Sequence, residues 1–229
     1  MREDSQRTRS FLFLVLGALA ARRSGHHEVV MIAENGQMAI HIPLSAARVG
    51  AFSTHTAHPR FVAEMEGILS TVLCFPINVV NPYLYMTKAE AVARVVREHS
   101  NAVPLTVSCW QTARLAGEKK HCGQCVPCLV RRIALEHNGL RLDEYRRELF
   151  GEDISTLSAD DGGKRNLNDL GEFIGRFGQP ASDTDLFQHY PELADAHFDT
   201  DAAISMYRRF AAEAVAVLRR YPRLECVIS

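Results

Sequence analysis

Four of the six cysteines lie in one short window, and this cluster constrains the fold more than any other feature of the sequence. Two residues separate Cys122 from Cys125 and Cys125 from Cys128. This spacing lets successive thiolates converge from a tight turn on one tetrahedral metal ion, with Cys109 as the fourth ligand. Gly123 suits the turn because glycine accepts positive φ without steric cost. Four protein ligands leave no open position for a water, so we predict a structural zinc site; a redox pair and an iron–sulfur cluster are the alternatives.

Basic residues lie close to the cysteines in the sequence. A zinc ion with four thiolates carries a formal double negative charge. We expect that charge to be offset by side chains near the cluster, namely Lys119, Lys120, His121, Arg131 and Arg132. Four of these also form a small basic patch, which a non-catalytic binding module would use to dock a partner.

The overall composition is that of an ordinary globular protein, with 47% hydrophobic and 23% charged residues. A formal net charge of -1 and a pI near 6.8 give no global basic field. We therefore do not expect nucleic acid or a membrane surface as a partner. Cys74 and Cys226 have apolar neighbours in the sequence, which predicts buried small side chains rather than reactive thiols.

The first residues resemble a secretory signal, since a basic start precedes a short apolar run. Glu3 and Asp4 argue against that interpretation, and so do cysteines spaced for metal in a reducing compartment. The apolar run is also shorter than the ~20 residues of a membrane span. We predict instead a cytoplasmic protein with a helix over residues 10–23, buried on most of its faces and ended by Gly25.

Strand and helix patterns alternate over the first half of the chain. Short β-branched runs at residues 28–33 and 77–80 are typical of strands buried in a parallel sheet, and Asn35 with Gly36 predicts a turn after the first of them. Amphipathic helices are predicted over residues 60–73 and 88–98, the second started by a capping box of Thr87 and Glu90. This alternation predicts an α/β domain with a parallel sheet.

The pattern changes near residue 143. Beyond it the sequence shows helices separated by polar segments that contain glycine, and residues 204–221 carry apolar residues at helical spacing. We therefore divide the chain into residues 1–142 and a helical C-terminal extension over residues 143–229.

Three stretches together resemble the 7-cyano-7-deazaguanine synthase family of the adenine nucleotide alpha-hydrolase superfamily. Residues 106–110 and 121–132 are similar to that family's Ser/Thr-Cys-Tyr and Cys-Gly-x-Cys-x-x-Cys segments. Residues 87–90 resemble its Thr-Lys-x-Glu helix start, and residues 7–14 resemble the segment in which an arginine faces the nucleotide phosphates. Residues 34–36, the loop at 53–61 and the helical tail are more similar to the synthase homologue of bacterial anti-phage Qat operons.

The resemblance implies a fold and a chemistry. Residues 1–142 would be the C-terminal part of a Rossmann-like, parallel-sheet nucleotide alpha-hydrolase domain with a zinc loop at 109–128. ATP with Mg²⁺ would adenylate a deazaguanine-type carboxylate, pyrophosphate would leave, and a nitrogen nucleophile would attack the activated acyl group. In the housekeeping enzyme ammonia makes an amide, which a second adenylation converts to a nitrile; some paralogues are thought to attach the deazaguanine to a partner protein.

The resemblance also assigns candidate roles. Arg9 and Lys88 would supply cationic donors to the phosphates, with Gly36 beside them, although a solvated role is open for both side chains. His58 would be a general base near neutral pH, or a solvated loop residue. The substrate loop would comprise His55, Arg60 and Trp110, of which Trp110 stands where the family has tyrosine.

One departure from the family is large. The nucleotide loop Ser-Gly-Gly-x-Asp-Ser is absent from the 229 residues. We therefore expect a fragment or one half of a split enzyme, with a partner chain supplying the phosphate loop and with an uncovered apolar helix and open sheet edges in this chain. The alternative is a non-catalytic zinc-containing module that docks a partner protein.

Overall fold

The fold is mostly helical and is built around one pair of parallel strands. A computed structural model describes residues 9–30, 34–44, 57–112, 115, 117–178 and 182–227. The strands are β1 (Glu28–Val30) and β2 (Asn78–Val80). The helices are α1 (Arg9–Ser24), α2 (Gly36–Ala39), α3 (Pro59–Leu73), α4 (Lys88–His99), α5 (Val126–His137), α6 (Gly162–Gly178), α7 (Asp183–His189) and α8 (Thr200–Leu218). Short 3₁₀ helices cover Ser100–Leu105, Leu149–Gly151, Ile154–Thr156, Pro191–Ala194 and Pro222–Val227.

The two strands confirm the predicted parallel pairing. Val29 of β1 lies opposite Val79 of β2, and α1 and α3 pack beside the pair. A small core joins these elements through Leu14, Leu69 and Ile77. Within the described residues the sheet has two strands, which are the two predicted ones, and residues 31–33 of the first predicted strand lie outside those residues.

The helix boundaries follow local sequence signals. Gly25 takes a positive φ of 74° and ends α1 as predicted. Thr87 and Glu90 form the predicted capping box, in which each side chain accepts a backbone N–H of the other residue. The predicted turn at Asn35 and Gly36 is wrong, because Asn35 instead precedes α2 and its carbonyl accepts the N–H groups of the next helical turn.

A larger core joins α5 to the C-terminal helices. Ile133 of α5, Phe173 of α6 and Phe210 of α8 are all buried in it. The aromatic rings of Phe173 and Tyr207 meet edge to face with centroids 5.5 Å apart. The helices beyond residue 142 therefore share their core with the last helix before it.

The two cysteines outside the cluster are exposed, so the prediction that they are buried is wrong. Cys74 follows the last residue of α3 and takes a left-handed conformation where the chain turns at the surface. Cys226 lies in a 3₁₀ turn that buries Leu224 and Val227 instead. In both places, the local turn directs the thiol away from the apolar neighbours that suggested burial.

Helix α1 buries only one of its faces. Leu14 and Ala18 are fully buried against α3 and β1. Five large apolar side chains of the same helix remain about half exposed: Phe11, Leu12, Phe13, Leu16 and Leu19. The prediction that most of the helix is buried is wrong, whereas the expected uncovered apolar helix is confirmed. An apolar surface of this kind marks a contact site or an aggregation hazard.

Among the described residues, no helix has both the length and the apolar character that a membrane crossing requires.

Two leucines of α1 test this arrangement directly. Leu14 is 1% exposed and Leu16 is 53% exposed. Leu14→Ala should lower the free energy of unfolding by about 2–5 kcal/mol because it opens a cavity. Leu16→Ala is the matched control and should stay within about 0.5 kcal/mol of the parent. Urea titration measures both, and equal losses would contradict a one-faced α1.

Candidate metal centre and adjoining polar site

The four clustered cysteines converge on one point, as their spacing predicts. All four are buried, and their Sγ atoms lie within 4.8 Å of one another. The Sγ atoms of Cys122 and Cys128 are 3.8 Å apart, and those of Cys109 and Cys125 are 3.9 Å apart. A tetrahedron with metal–sulfur bonds of about 2.3 Å has sulfur–sulfur edges of about 3.8 Å. The donor set therefore fits one tetrahedral metal ion.

The turn that forms the cluster requires glycine. Gly123 has a φ of 81°, and a Cβ at this position would collide with the carbonyl oxygen of Arg147. The segment around Arg147 also pairs with the turn through its backbone. The N–H groups of Arg146 and Arg147 donate to the carbonyls of His121 and Cys122. Cys125 then precedes α5, which places Cys128 in the first helical turn.

Backbone amides, rather than nearby cations, face the sulfur atoms. The N–H groups of Gln111 and Cys122 each donate to Cys109 Sγ at 3.4 Å. The N–H groups of Gln124 and Cys125 donate to Cys122 Sγ at 3.5 and 3.3 Å. These four amide dipoles stabilise negative charge on the thiolates.

Three of the predicted counter-charges are paired elsewhere. Lys119 pairs with Asp143, Arg131 with Glu144, and Arg132 with Glu136 and Glu148. The ion-pair partners of these three residues are therefore carboxylates, which proximity to the cysteines in the sequence did not indicate.

The thiols themselves are perturbed by one another. A hydrogen bond from Cys128 is the main cause that lowers the pKa of Cys125 to about 6. Burial is the main cause that raises the pKa of Cys122 to about 11. Because a thiol must lose its proton to bind a cation, a bound cation would favour the ionised form of all four cysteines.

His121 is a neutral structural residue rather than a cation. It is 1% exposed, and burial is the main cause that lowers its pKa. Its Nε2 accepts the N–H of Ser108 at 3.2 Å. In the neutral ring the proton is therefore on Nδ1, which lies 3.6 Å from Glu144 Oε2, beyond hydrogen-bond distance.

Arg131 fixes the segment that precedes Cys109. Its guanidinium donates to Thr106 Oγ1 at 2.6 Å and to the carbonyl of Val103 at 3.1 Å. Glu144 holds the same guanidinium through both of its carboxylate oxygens. Together with His121, this buried arginine fixes the loop of residues 106–108 against the metal centre.

A second cluster of polar groups lies where the two parallel strands end. The carbonyl of Glu34, after β1, accepts from the Asn81 side chain, after β2, at 3.0 Å. Gly36 N–H donates to Met86 O at 2.9 Å, and Lys88 N–H donates to Gln37 Oε1 at 2.7 Å. The structure thus brings Gly36 and Lys88 together at the carboxyl edge of the sheet, where open α/β folds bind ligands.

The charges at this edge are partly desolvated. Burial is the main cause that lowers the pKa of Lys88 and the main cause that raises the pKa of Glu34. The opposite charges of Lys88 and Glu34 partly counteract these two pKa shifts. The positive charge of Arg131 lowers the pKa of Lys88 further. Beside them the Asn35 amide is buried, with its Oδ1 without a hydrogen-bond partner.

The remaining candidate residues lie apart from this edge or outside the described chain. Arg9 is the first residue of α1, and its side chain lies outside the described structure, as does His55. His58 caps the N-terminus of α3 and meets the Phe198 ring with centroids 6.0 Å apart. Arg60 is exposed and pairs with Glu64 at 3.1 Å. Trp110 follows the metal ligand Cys109 and is 58% exposed.

Sequence analysis missed a buried carboxyl group at the site. Glu213 of α8 accepts a hydrogen bond from Thr87 Oγ1 at 2.8 Å. Burial is the main cause that raises its pKa to about 7. The signal was present in the sequence, because Glu213 interrupts an apolar stretch of alanine and valine on the last long helix.

Comparison with known proteins identifies one family. The model of the family described as queuosine biosynthesis protein QueC matches residues 9–139. No curated protein and no solved structure matches the chain. The matched segment contains all four clustered cysteines together with Gly36 and Lys88.

Two glycines with positive φ test how the cysteine turn is built. Gly123 lies against Arg147 O, whereas Gly139 has a φ of 73° and open space where a Cβ would be. Gly139→Ala should cost about 1–2 kcal/mol of unfolding free energy, from backbone strain alone. Gly123→Ala adds the collision and should also reduce metal retention by about tenfold or more. Urea titration and metal analysis after dialysis check both, and equal behaviour would contradict this account of the turn.

Proposed function

Because the chain belongs to the QueC family, we propose that it is a ligase-type enzyme that uses ATP to activate a carboxylate of the 7-deazaguanine class. A carboxylate oxygen attacks the α-phosphorus of ATP and pyrophosphate leaves. A nitrogen nucleophile then attacks the acyl carbon, AMP leaves, and the nitrogen loses a proton. The observation that supports this most is the position of Lys88 at the carboxyl edge of the parallel strands, inside the matched segment.

Lys88 is our candidate for the cation that meets phosphate charge. Desolvation destabilises its ammonium form, and an anionic ligand would add to the favourable charge of Glu34. Two N–H groups at the start of α4 are already used, since Lys88 N–H donates to Gln37 and Glu90 N–H to Thr87. The Lys88 ammonium, supported by the helix dipole, is therefore the group that would stabilise the developing charge.

The cysteine cluster would hold a structural zinc ion. Sulfur–sulfur distances of 3.8 and 3.9 Å suit a single ion, whereas an iron–sulfur cluster places several atoms between its thiolates and needs wider spacing. Zinc would contribute folding free energy and leave no coordination position for water. Its effect on the reaction would be to hold residues 106–110, with the exposed Trp110, in one conformation.

The narrower role proposed is in anti-phage defence, on the resemblance of residues 34–36 and 53–61 to the Qat-type homologue. ATP would enter as its Mg²⁺ complex. The 229 residues contain no Ser-Gly-Gly-x-Asp-Ser loop, so groups outside them would hold the rest of the triphosphate. The acceptor nitrogen would be ammonia or an amine of a protein partner from the same operon.

A second candidate is a non-catalytic module that docks a protein through α1. The half-exposed apolar residues of α1 favour it, since a free surface of this kind suits a protein partner. In that function Lys88 would stabilise the fold and would have no effect on turnover.

Pyrophosphate release separates the two candidates. The chain is assayed with ATP, Mg²⁺ and 7-carboxy-7-deazaguanine, alone and with a chain that carries the phosphate loop. Lys88→Ala should lower the rate by about 10²–10³-fold, because a cation at developing phosphate charge is lost. Lys164→Ala is the matched control, since Lys164 is also a half-buried first-turn lysine but lies in α6.

Two results contradict the enzyme. One is the absence of pyrophosphate release with any deazaguanine carboxylate, both for the chain alone and with the chain that carries the phosphate loop. The other is release that Lys88→Ala and Lys164→Ala reduce equally. Absent release, together with a partner complex that Leu16→Glu dissociates, would favour the docking module.

A further inference from the structure

Helix α8 lies outside the family match, yet two of its polar side chains form hydrogen bonds with residues at the start of α4, the helix that begins with Lys88. We propose that Arg209 and Glu213 are positioning residues, which fix residues 85–90 so that the Lys88 ammonium is held at the sheet edge. An effect of these residues on turnover rests on the proposed function. Their effect on the position of residues 85–90 does not, because it concerns contacts within this chain.

Glu213 holds the first of these contacts. Its Oε1 accepts the Thr87 hydroxyl at 2.8 Å, and the same hydroxyl oxygen accepts the Glu90 N–H at 3.1 Å. The Thr87 side chain is therefore fixed from both sides, immediately before Lys88. Orienting a capping hydroxyl in this way fixes the first turn of the helix.

Arg209 holds the second contact. Its Nε donates to Glu90 Oε1 at 2.7 Å, and its Nη2 donates to the carbonyl of Tyr85 at 2.8 Å. The Arg209 guanidinium thus links Glu90, the last residue of the capping box, to the loop that precedes the helix. Arg209 and Glu90 are more than a hundred positions apart in the sequence.

Helix α8 also contacts the loop that follows β1. The Met206 side chain lies so close to Gly36 that a Cβ there would approach its Cε to 2.8 Å. Tyr207 OH receives the N–H of Ile42 at 3.5 Å. Just before α8, the Asp199 N–H donates to Tyr85 OH at 2.7 Å. Helix α8 therefore supports both loops that form the Lys88 edge.

The cost of burying Glu213 argues for a specific role. Its Oε2 is buried without a hydrogen-bond partner in the described structure. An apolar side chain of similar size would avoid that desolvation cost, so general packing does not explain a carboxyl group here. The hydrogen bond to Thr87 does explain it, because an apolar residue would leave the hydroxyl unoriented.

Adjacent arginines of α8 provide a matched pair of variants. Arg209 and Arg208 are similarly exposed at 42% and 44%, but Arg208 pairs with Asp183 of α7 at 3.1 Å. Arg209→Gln and Glu213→Leu are the test variants. Arg208→Gln is the control for charge removal, and Glu213→Gln retains an oxygen that accepts the Thr87 hydroxyl.

Two readouts follow the Lys88 segment without any substrate. Hydrogen exchange of the Glu90 and Ala91 amides should become about tenfold faster in Arg209→Gln and Glu213→Leu, with α6 unchanged, because a fixing hydrogen bond is lost. The apparent pKa of Lys88, read by mass spectrometry from its rate of reaction with an amine reagent across a pH series, should rise toward its ordinary value in the same two variants as the ammonium reaches water. Both control variants should match the parent chain.

Unchanged exchange and labelling in Arg209→Gln, or equal changes in Arg208→Gln, would overturn the inference. Arg209 is half exposed, so its variant should fold even if Glu213→Leu does not. If pyrophosphate release fails in the parent chain while both readouts respond as expected, the proposed function fails and the positioning role stands. If release is present and both readouts stay constant, the positioning role alone fails.

Discussion

The convergence of four thiols around the Gly123 turn is the constraint on which the site depends. The cysteines draw together the segment before Cys109, the turn itself and the start of α5. The backbone of Arg147 closes the turn from the C-terminal side, so the cluster connects parts of the chain that secondary structure alone would leave apart. Metal binding at such a cluster contributes directly to the free energy of folding.

The polar edge at Lys88 is held by contacts from a later helix. Helix α8 contacts Thr87 and Glu90, while Arg131 of α5 contacts Thr106 before the metal centre. Helices α5 and α8 share one core, so metal centre and polar edge are two faces of one packed unit. This explains why residues beyond the family match contact the site, and why α8 is better described as part of the site than as an appendage.

Local signals in the sequence predicted the local structure well. The spacing of the cysteines predicted their convergence, the Thr87 capping box was predicted and found, and the two β-branched runs pair in parallel as expected. Family membership was predicted from the cysteine and Thr-Lys-x-Glu segments and is confirmed by the match over residues 9–139. Each of these features depends on residues that are close in sequence.

Features that depend on distant partners were not predictable in the same way. Proximity suggested that Arg131 and Arg132 offset thiolate charge, but Arg131 pairs with Glu144 and Arg132 pairs with Glu148, both in the segment that follows α5. The apolar composition of α1 did not reveal that only one face is covered, because coverage depends on what else packs there. Glu213 carried a visible signal, yet its partner Thr87 lies in another part of the sequence.

X-ray absorption at the metal edge of the purified chain tests the central claim most directly. We expect one zinc ion per chain with four sulfur ligands at about 2.3 Å, retained in Cys74→Ser and lost in Cys125→Ser. Cys74 is the suitable control because it is a free, exposed cysteine outside the cluster. Iron at the site, a nitrogen or oxygen ligand in the first coordination sphere, or a Cys125→Ser chain that keeps its metal and its fold would contradict it.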